Sequence, residues 1–255
     1  MGDHLCLEVE DLTVRFGGVL AVEGLSLTAP AGQITTLIGP NGAGKTTTFN
    51  ACTGLVRPTG GRVQINGTDV TASPPQRRAQ LGLGRTFQRM ELFDSLTVRE
   101  NVALGREARL SGHRPWTHLT CSRRDAAMII DATAAAVALC GIEALADRPV
   151  RGLSTGQRRL VELARATAGG FSLLLLDEPS SGLDHAETEA FGRILRALVD
   201  ERGSAILLVE HDMSLVMSVS SHLYVLDFGR LIFEGTPADA QTSEAVRHAY
   251  LGEAP

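Results

Sequence analysis

The apolar positions change rhythm along the chain. Leu5, Leu7 and Val9, then Leu12, Val14 and Phe16, alternate with other residues, the period of a half-buried strand, until Gly17 and Gly18 mark a turn. Residues 33–38 (QITTLI) form a β-branched run that stops at Gly39 and Pro40 and predicts a strand. Residues 62–65 predict another, closed by the turn pair Asn66 and Gly67. The middle of the chain loses this alternation. Residues 123–140 are rich in Ala, Met and Ile, lack Gly and Pro, and predict a helix that Gly141 stops. The polar stretch 105–124 carries Trp116 and several arginines; it reads as a loop or short helical insert whose arginines form a solvated face. In the last third, apolar strands at 173–176 and 205–209 flank an amphipathic helix at 187–202 that Gly203 ends. Residues 223–226 and 231–233 predict a hairpin turning at 227–230, and Thr236 with Pro237 reads as an N-cap followed by proline at the first helical position. Continuous apolar strands separated by helices predict a parallel sheet covered on both faces.

The chain has 255 residues, 44% of them hydrophobic, which suits one large domain or a core with a smaller lobe. No apolar run approaches the ~20 residues that a membrane-spanning helix needs, so any membrane role is expected to act through a partner. The start, MGDHLCLEVEDL, has neither a basic segment nor an apolar signal core, and export is not expected. A net charge of −5 argues against nucleic-acid binding driven by bulk charge. Cys6, Cys52, Cys121 and Cys140 are scattered with no C-x-x-C pair, which predicts reduced thiols rather than a metal or redox site.

Two segments carry chemistry. Residues 39–46 (GPNGAGKT) match G-x-x-x-x-G-K-[ST] after a predicted strand and before a predicted helix from Lys45 to about Thr53. Glycines let the backbone curl around phosphates with its N–H groups inward, and the positive helix end lies beneath them. Lys45 is expected to reach the β- and γ-phosphates, and Thr46 to ligate Mg²⁺. The second segment is the apolar strand 173–176 ending in Asp177 and Glu178. Asp177 is placed to hold Mg²⁺; Glu178 points to the other side and can polarise a water aimed at the γ-phosphate.

In this order, a phosphate loop, a glutamine, Leu153-Ser-Thr-Gly-Gln157, Asp177-Glu178 and His211, the chain resembles the ATP-binding cassette (ABC) ATPases over most of its length. The resemblance implies an α/β fold: a P-loop NTPase core with a mostly parallel sheet and flanking helices, an N-terminal antiparallel β subdomain and a helical signature subdomain. It implies one ABC ATPase domain over residues 1–255. Residues 1–88 and 170–240 would form the catalytic core with the β subdomain, 89–169 the helical subdomain, and 241–255 a C-terminal helical tail. It implies ATP and Mg²⁺ as ligands. Gly39, Pro40, Asn41, Gly42, Ala43, Gly44, Lys45, Thr46 and Thr47 would contact ATP, with Phe16 stacking on adenine; a core phenylalanine is the rival reading of Phe16. Glu178, His211 and Gln88 would be catalytic, and Thr46, Gln88 and Asp177 would hold the metal. Ser154, Gly156 and Gln157 would face the ATP of a second ATPase subunit, and Ser181, Gly182, Leu183 and Asp184 resemble the loop by which two subunits sense each other. Ser154 and Gln157 also fit a capping box that opens a helix. Thr155 stands where the family commonly has glycine, but a side chain in the first helical turn fits if it points aside.

Local wording narrows the resemblance. Residues 84–88 (GRTFQ), 210–213 (EHDM) and 234–237 (EGTP) are similar to ATPases of branched-chain amino-acid importers. Urea importers share this wording, and the lipopolysaccharide exporter ATPase does so less closely. The implied partners are transmembrane permeases, a second ATPase subunit and a solute-binding protein, with the chain at the cytoplasmic face of the membrane. A soluble ABC ATPase acting on DNA or ribosomes is the rival; such proteins usually carry long coiled coils or tandem cassettes, and this chain has neither sustained heptads nor a second phosphate loop.

Overall fold

The computed structural model describes residues 4–86, 91–113 and 122–251. The N-terminal alternation becomes an antiparallel hairpin of β1 (Leu5–Phe16) and β2 (Val19–Pro30). Its buried positions change parity, from Leu7 and Val9 to Leu12 and Val14. A one-residue slip would turn one of these pairs to solvent. The chain prevents this with an irregularity between Val9 and Leu12, where Asp11 takes a left-handed φ of 47°. β4 (Gly60–Ile65) and the short β5 (Thr68–Asp69), which follow β3 in sequence, complete this sheet in the order β2-β1-β4-β5.

The second sheet contains β3 (Ile34–Ile38), β6 (Leu83–Arg85), β7 (Leu173–Asp177), β8 (Ala205–Val209), β9 (His222–Asp227) and β10 (Arg230–Gly235), in the order β10-β9-β3-β8-β7-β6. Only the edge strand β10 runs antiparallel to its neighbour. Every residue of β3, β7 and β8 is buried. Successive side chains serve opposite faces. Leu173, Leu175, Ala205 and Leu207 pack with the first sheet, whereas Leu174, Leu176, Ile206 and Leu208 pack with the helical side. Each such leucine contributes about 1.5–3 kcal/mol of burial. Pairing aligns Leu37 with Val209 and Val209 with Asp177, so β8 and β7 end in one row and β3 one residue beyond it.

α1 (Lys45–Thr53) follows β3, and α2 (Pro75–Gln80) precedes β6. α3 (Val98–His113), α4 (Arg123–Leu139) and α5 (Thr155–Ala168) pack together. α6 (His185–Arg202) links β7 to β8, α7 (Met213–Val219) links β8 to β9, and α8 (Pro237–Thr242) and α9 (Glu244–Leu251) close the chain. Of the two readings of the stretch from 105, residues 105–113 follow the helical one, as a continuation of α3 rather than a separate insert. Gly105 sits where any Cβ would collide with the Arg165 carbonyl of α5, so it is a close helix–helix contact. Trp116 and Cys121 lie outside the described residues; Cys6, Cys52 and Cys140 are buried free thiols. The helix expected from 187 begins at His185, because Asp184 caps it and Glu187 returns a bond to the cap.

α1 has an unusual C-terminal partner. Arg78, 1% exposed, donates from Nη1 to the carbonyls of Ala51 (2.6 Å) and Cys52 (2.8 Å), from Nε to Ser73 (3.1 Å) and from Nη2 to Thr71 (3.2 Å). A cation at the end of a helix also complements its dipole. Replacing Arg78 by Leu leaves these acceptors buried without a donor; unfolding in urea is expected to show a loss of about 3 kcal/mol.

Candidate active site

The loop between β3 and α1 builds the first part of the site. Gly44, with φ 100°, opens α1 without a side-chain cap, whereas Ser154, Asp184, Asp212 and Thr236 cap α5 to α8. A Cβ at Gly44 would stand 2.6 Å from the Ala21 carbonyl, so the loop lies directly on β2. The first-turn amides of α1 therefore remain available to an anion. A cavity of about 590 Å³ lies over them, lined by Val19, Leu20 and Ala21, by residues 41–47, and by Glu178 and Phe228. Lys45 is buried; its Nζ donates to the carbonyls of Gly39 (2.6 Å) and Pro40 (3.0 Å). Burial pulls its ammonium pKa down, while Glu178 and Asp177 pull it up.

The second part comes from the ends of β7 and β8. Glu178 stands one residue beyond β7 with a φ of 49°, and its amide donates to the Val209 carbonyl (2.9 Å). This left-handed bend, rather than strand alternation alone, points its carboxylate into the cavity. His211 Nε2 lies 2.6 Å from Glu178 Oε1. An ionised carboxylate only accepts, so Nε2 carries the proton in this contact. Asp177 is buried on the other side, with Arg85 Nη2 at 3.3 Å. Burial raises its pKa, and Arg85 opposes that rise. Arg85 also donates to Asn50 Oδ1 (2.7 Å) and Thr53 Oγ1 (3.2 Å) of α1.

Glu210, 2% exposed, joins the two loops. Its Oε1 accepts from the Ser180 amide (2.8 Å) and its Oε2 from the His211 amide (3.1 Å). Burial pushes its carboxyl pKa up, and the backbone donors hold it down. One carboxylate thus fixes the segment after Glu178 against the segment that carries His211.

The structure gathers residues 41–47 and Glu178 around one cavity, with His211 in contact with Glu178 and with Gly39 and Pro40 as acceptors for Lys45. Thr46 is exposed within the cavity, and Asp177 lies near enough to Lys45 to act on its charge. Phe16 is 51% exposed at the end of β1, which removes the core reading; it does not line the cavity. Gln88 lies outside the described residues. Ser154, Gly156 and Gln157 are at the start of α5, away from the cavity lining. Ser154 is exposed and accepts from the Gln157 amide (3.2 Å), and Gln157 Oε1 accepts from the Ser154 amide (3.1 Å), which is the expected capping box. Gly156 is buried, and a Cβ there would strike the Glu187 carboxylate. Sequence reasoning missed Arg85, Glu210 and Phe228 as parts of the site. Arg85 and Glu210 stand inside the quoted wording at 84–88 and 210–213, but no sequence pattern shows that a charge is buried.

The ABC transporter family matches residues 22–181. The chain belongs to that family. A second family, branched-chain amino acid ATP-binding cassette transporter, matches residues 230–255 of this cassette. Over 97% of its length the cassette is 38% identical to two high-affinity branched-chain amino acid transport ATP-binding proteins, BraF of Pseudomonas aeruginosa and LivG of Escherichia coli, and it spans 98% of each. Its fold is similar to an ATP-binding cassette of an ABC transporter solved in the ADP conformation (TM-score 0.85, 29% identity, 98% of this chain and 99% of that one). It is similar as well to a nucleotide-free cassette (TM-score 0.84, 28% identity, 98% of this chain and 100% of that one).

For the Glu210 tie, replacement by Ala leaves the buried Ser180 amide and the partly buried His211 amide without their acceptor. Denaturant unfolding is expected to show a loss of about 3 kcal/mol, with Glu210→Gln recovering part of it through its single amide oxygen.

Proposed function

We propose that this chain binds and hydrolyses Mg·ATP as the ATPase subunit of a membrane importer for branched-chain or related amino acids. One observation carries the reading: a single cavity is lined by the uncapped start of α1, Lys45 and Glu178, and His211 Nε2 lies 2.6 Å from the Glu178 carboxylate. The relatives named for branched-chain amino acid transport, and the matching C-terminal family, support the cargo class.

Residues 41–47 would cradle the phosphates through their backbone amides, as Lys45 moves from the Gly39 and Pro40 carbonyls to the β- and γ-phosphates. The oxygen donors of Thr46 and Asp177, with Gln88, fit Mg²⁺, which takes few protein ligands beside phosphate and water. When bound, Mg²⁺ neutralises phosphate charge. Glu178 orients a water and accepts its proton as the water oxygen bonds the γ-phosphorus and the bond to the β-phosphate oxygen breaks. His211 holds the Glu178 carboxylate in place and adds a donor near the transferring group.

Residues 1–88 and 170–240 are the catalytic core in this reading, 89–169 the helical subdomain, and 241–255 a helical tail. The exposed Ser154 turn would meet the nucleotide of a second cassette, and permease subunits would receive the motion at the cytoplasmic face of the membrane. A solute-binding protein would deliver cargo, and no nucleic acid is involved. No described helix is long and apolar enough to cross a membrane, so the route for the solute would belong to the permeases.

The purified chain is expected to release phosphate from ATP only with a divalent cation, and a chelator should stop it. Glu178→Gln is expected to lower turnover at least 100-fold while ATP still binds; unchanged turnover would remove Glu178 from its role. Lys45→Ala is expected to lose nucleotide binding itself, read by calorimetry. Leucine uptake by vesicles holding the reconstituted complex tests the cargo, and uptake insensitive to Glu178→Gln would overturn the assignment.

A further inference from the structure

The hairpin between β9 and β10 places an aromatic residue where turn chemistry disfavours one. Asp227 pairs with Arg230, so the loop is two residues long, Phe228 and Gly229. Both have positive φ, 43° and 81°, the pattern of a type I′ turn. That turn favours Asn, Asp or Gly; a bulky residue at positive φ is an outlier that the surroundings must impose. Packing does not account for the choice, because Phe228 is 87% exposed and contributes nothing to the core.

The tip is nevertheless held firmly against the phosphate loop. The Gly229 amide donates to the Ala43 carbonyl (3.0 Å), the Gly229 carbonyl accepts from the Glu23 amide (2.8 Å), and Arg230 pairs with Glu23 at 2.7 Å. A Cβ at Gly44 would lie 3.5 Å from the Gly229 Cα. Phe228 is therefore a ring carried on a fixed mount at the rim of the 590 Å³ cavity, beside the apolar residues Val19, Leu20 and Ala21. Strain kept at an exposed aromatic over a ligand cavity points to a role in holding that ligand.

We infer that Phe228 contacts the base or ribose of the bound nucleotide and supplies affinity that the phosphate loop does not. The inference rests on the nucleotide reading of the cavity and adds a residue that the family motifs leave out. Aromatic–base contact tolerates any base, so it favours nucleotides over bare polyphosphate rather than adenine over guanine.

The test uses the full chain, with ADP and inorganic tripolyphosphate as calorimetric probes. Phe228→Asn suits the turn better, so the unliganded Tm is expected to hold or rise, while ADP binds about ten-fold more weakly and tripolyphosphate affinity stays within two-fold. Phe228→Leu keeps the backbone strain and removes only the ring; it should weaken ADP in the same direction. Phe228→Tyr should bind like the wild type. ADP affinity unchanged in both the Asn and Leu variants overturns the inference, as does a parallel loss of tripolyphosphate affinity, which would mean a displaced phosphate loop. A wild-type chain that binds no ADP overturns the nucleotide reading itself, and this inference with it.

Discussion

The row of backbone pairing that joins Leu37, Val209 and Asp177 decides where the chemistry of this molecule lies. Three parallel strands, buried at every residue, stop within one residue of that row, and each must release its chain at the same edge. The phosphate loop, the Glu178 bend and the His211 turn leave from that edge. Their convergence follows from sheet register rather than from any attraction among them. The leucines that fill both faces hold the register: sliding one strand by a single residue would exchange its two faces and move its loop out of line.

On that edge, charge is arranged in two compartments. On the cavity side, Lys45 and Glu178 line the space a ligand would enter, and His211 bonds Glu178. Behind it, Arg85 holds Asp177 and reaches into α1, and Glu210 binds the backbone of both carboxyl-terminal loops. The rear compartment is drier, and its groups show it: burial raises the pKa values of Asp177 and Glu210, and nearby donors limit the rise. The front groups can therefore reorient without the loops that carry them coming apart.

Much of this was legible from residue order. Alternation found β1, β-branched and leucine runs found β3, β7 and β8, and the spacing of Gly39, Gly44 and Lys45 announced the phosphate loop, because each signal is local to a few neighbouring residues. The failures share a cause as well. Nothing local explains Gly105, since its reason for being small, the Arg165 backbone of another helix, lies far along the chain. Nothing in the residue order marks Arg78, Arg85 and Glu210 as buried, because burial is decided by what folds over them. Phe228 looked like one more hairpin residue until both its positive φ and the cavity beside it were visible.

The contact between Gly105 and Arg165 has a mechanical consequence. Where two helices touch backbone to backbone, no layer of side chains remains to shear, so α3 and α5 cannot slide past each other in small steps. A displacement of α3 is therefore expected to carry α5, and the Ser154 turn at its start, along with it.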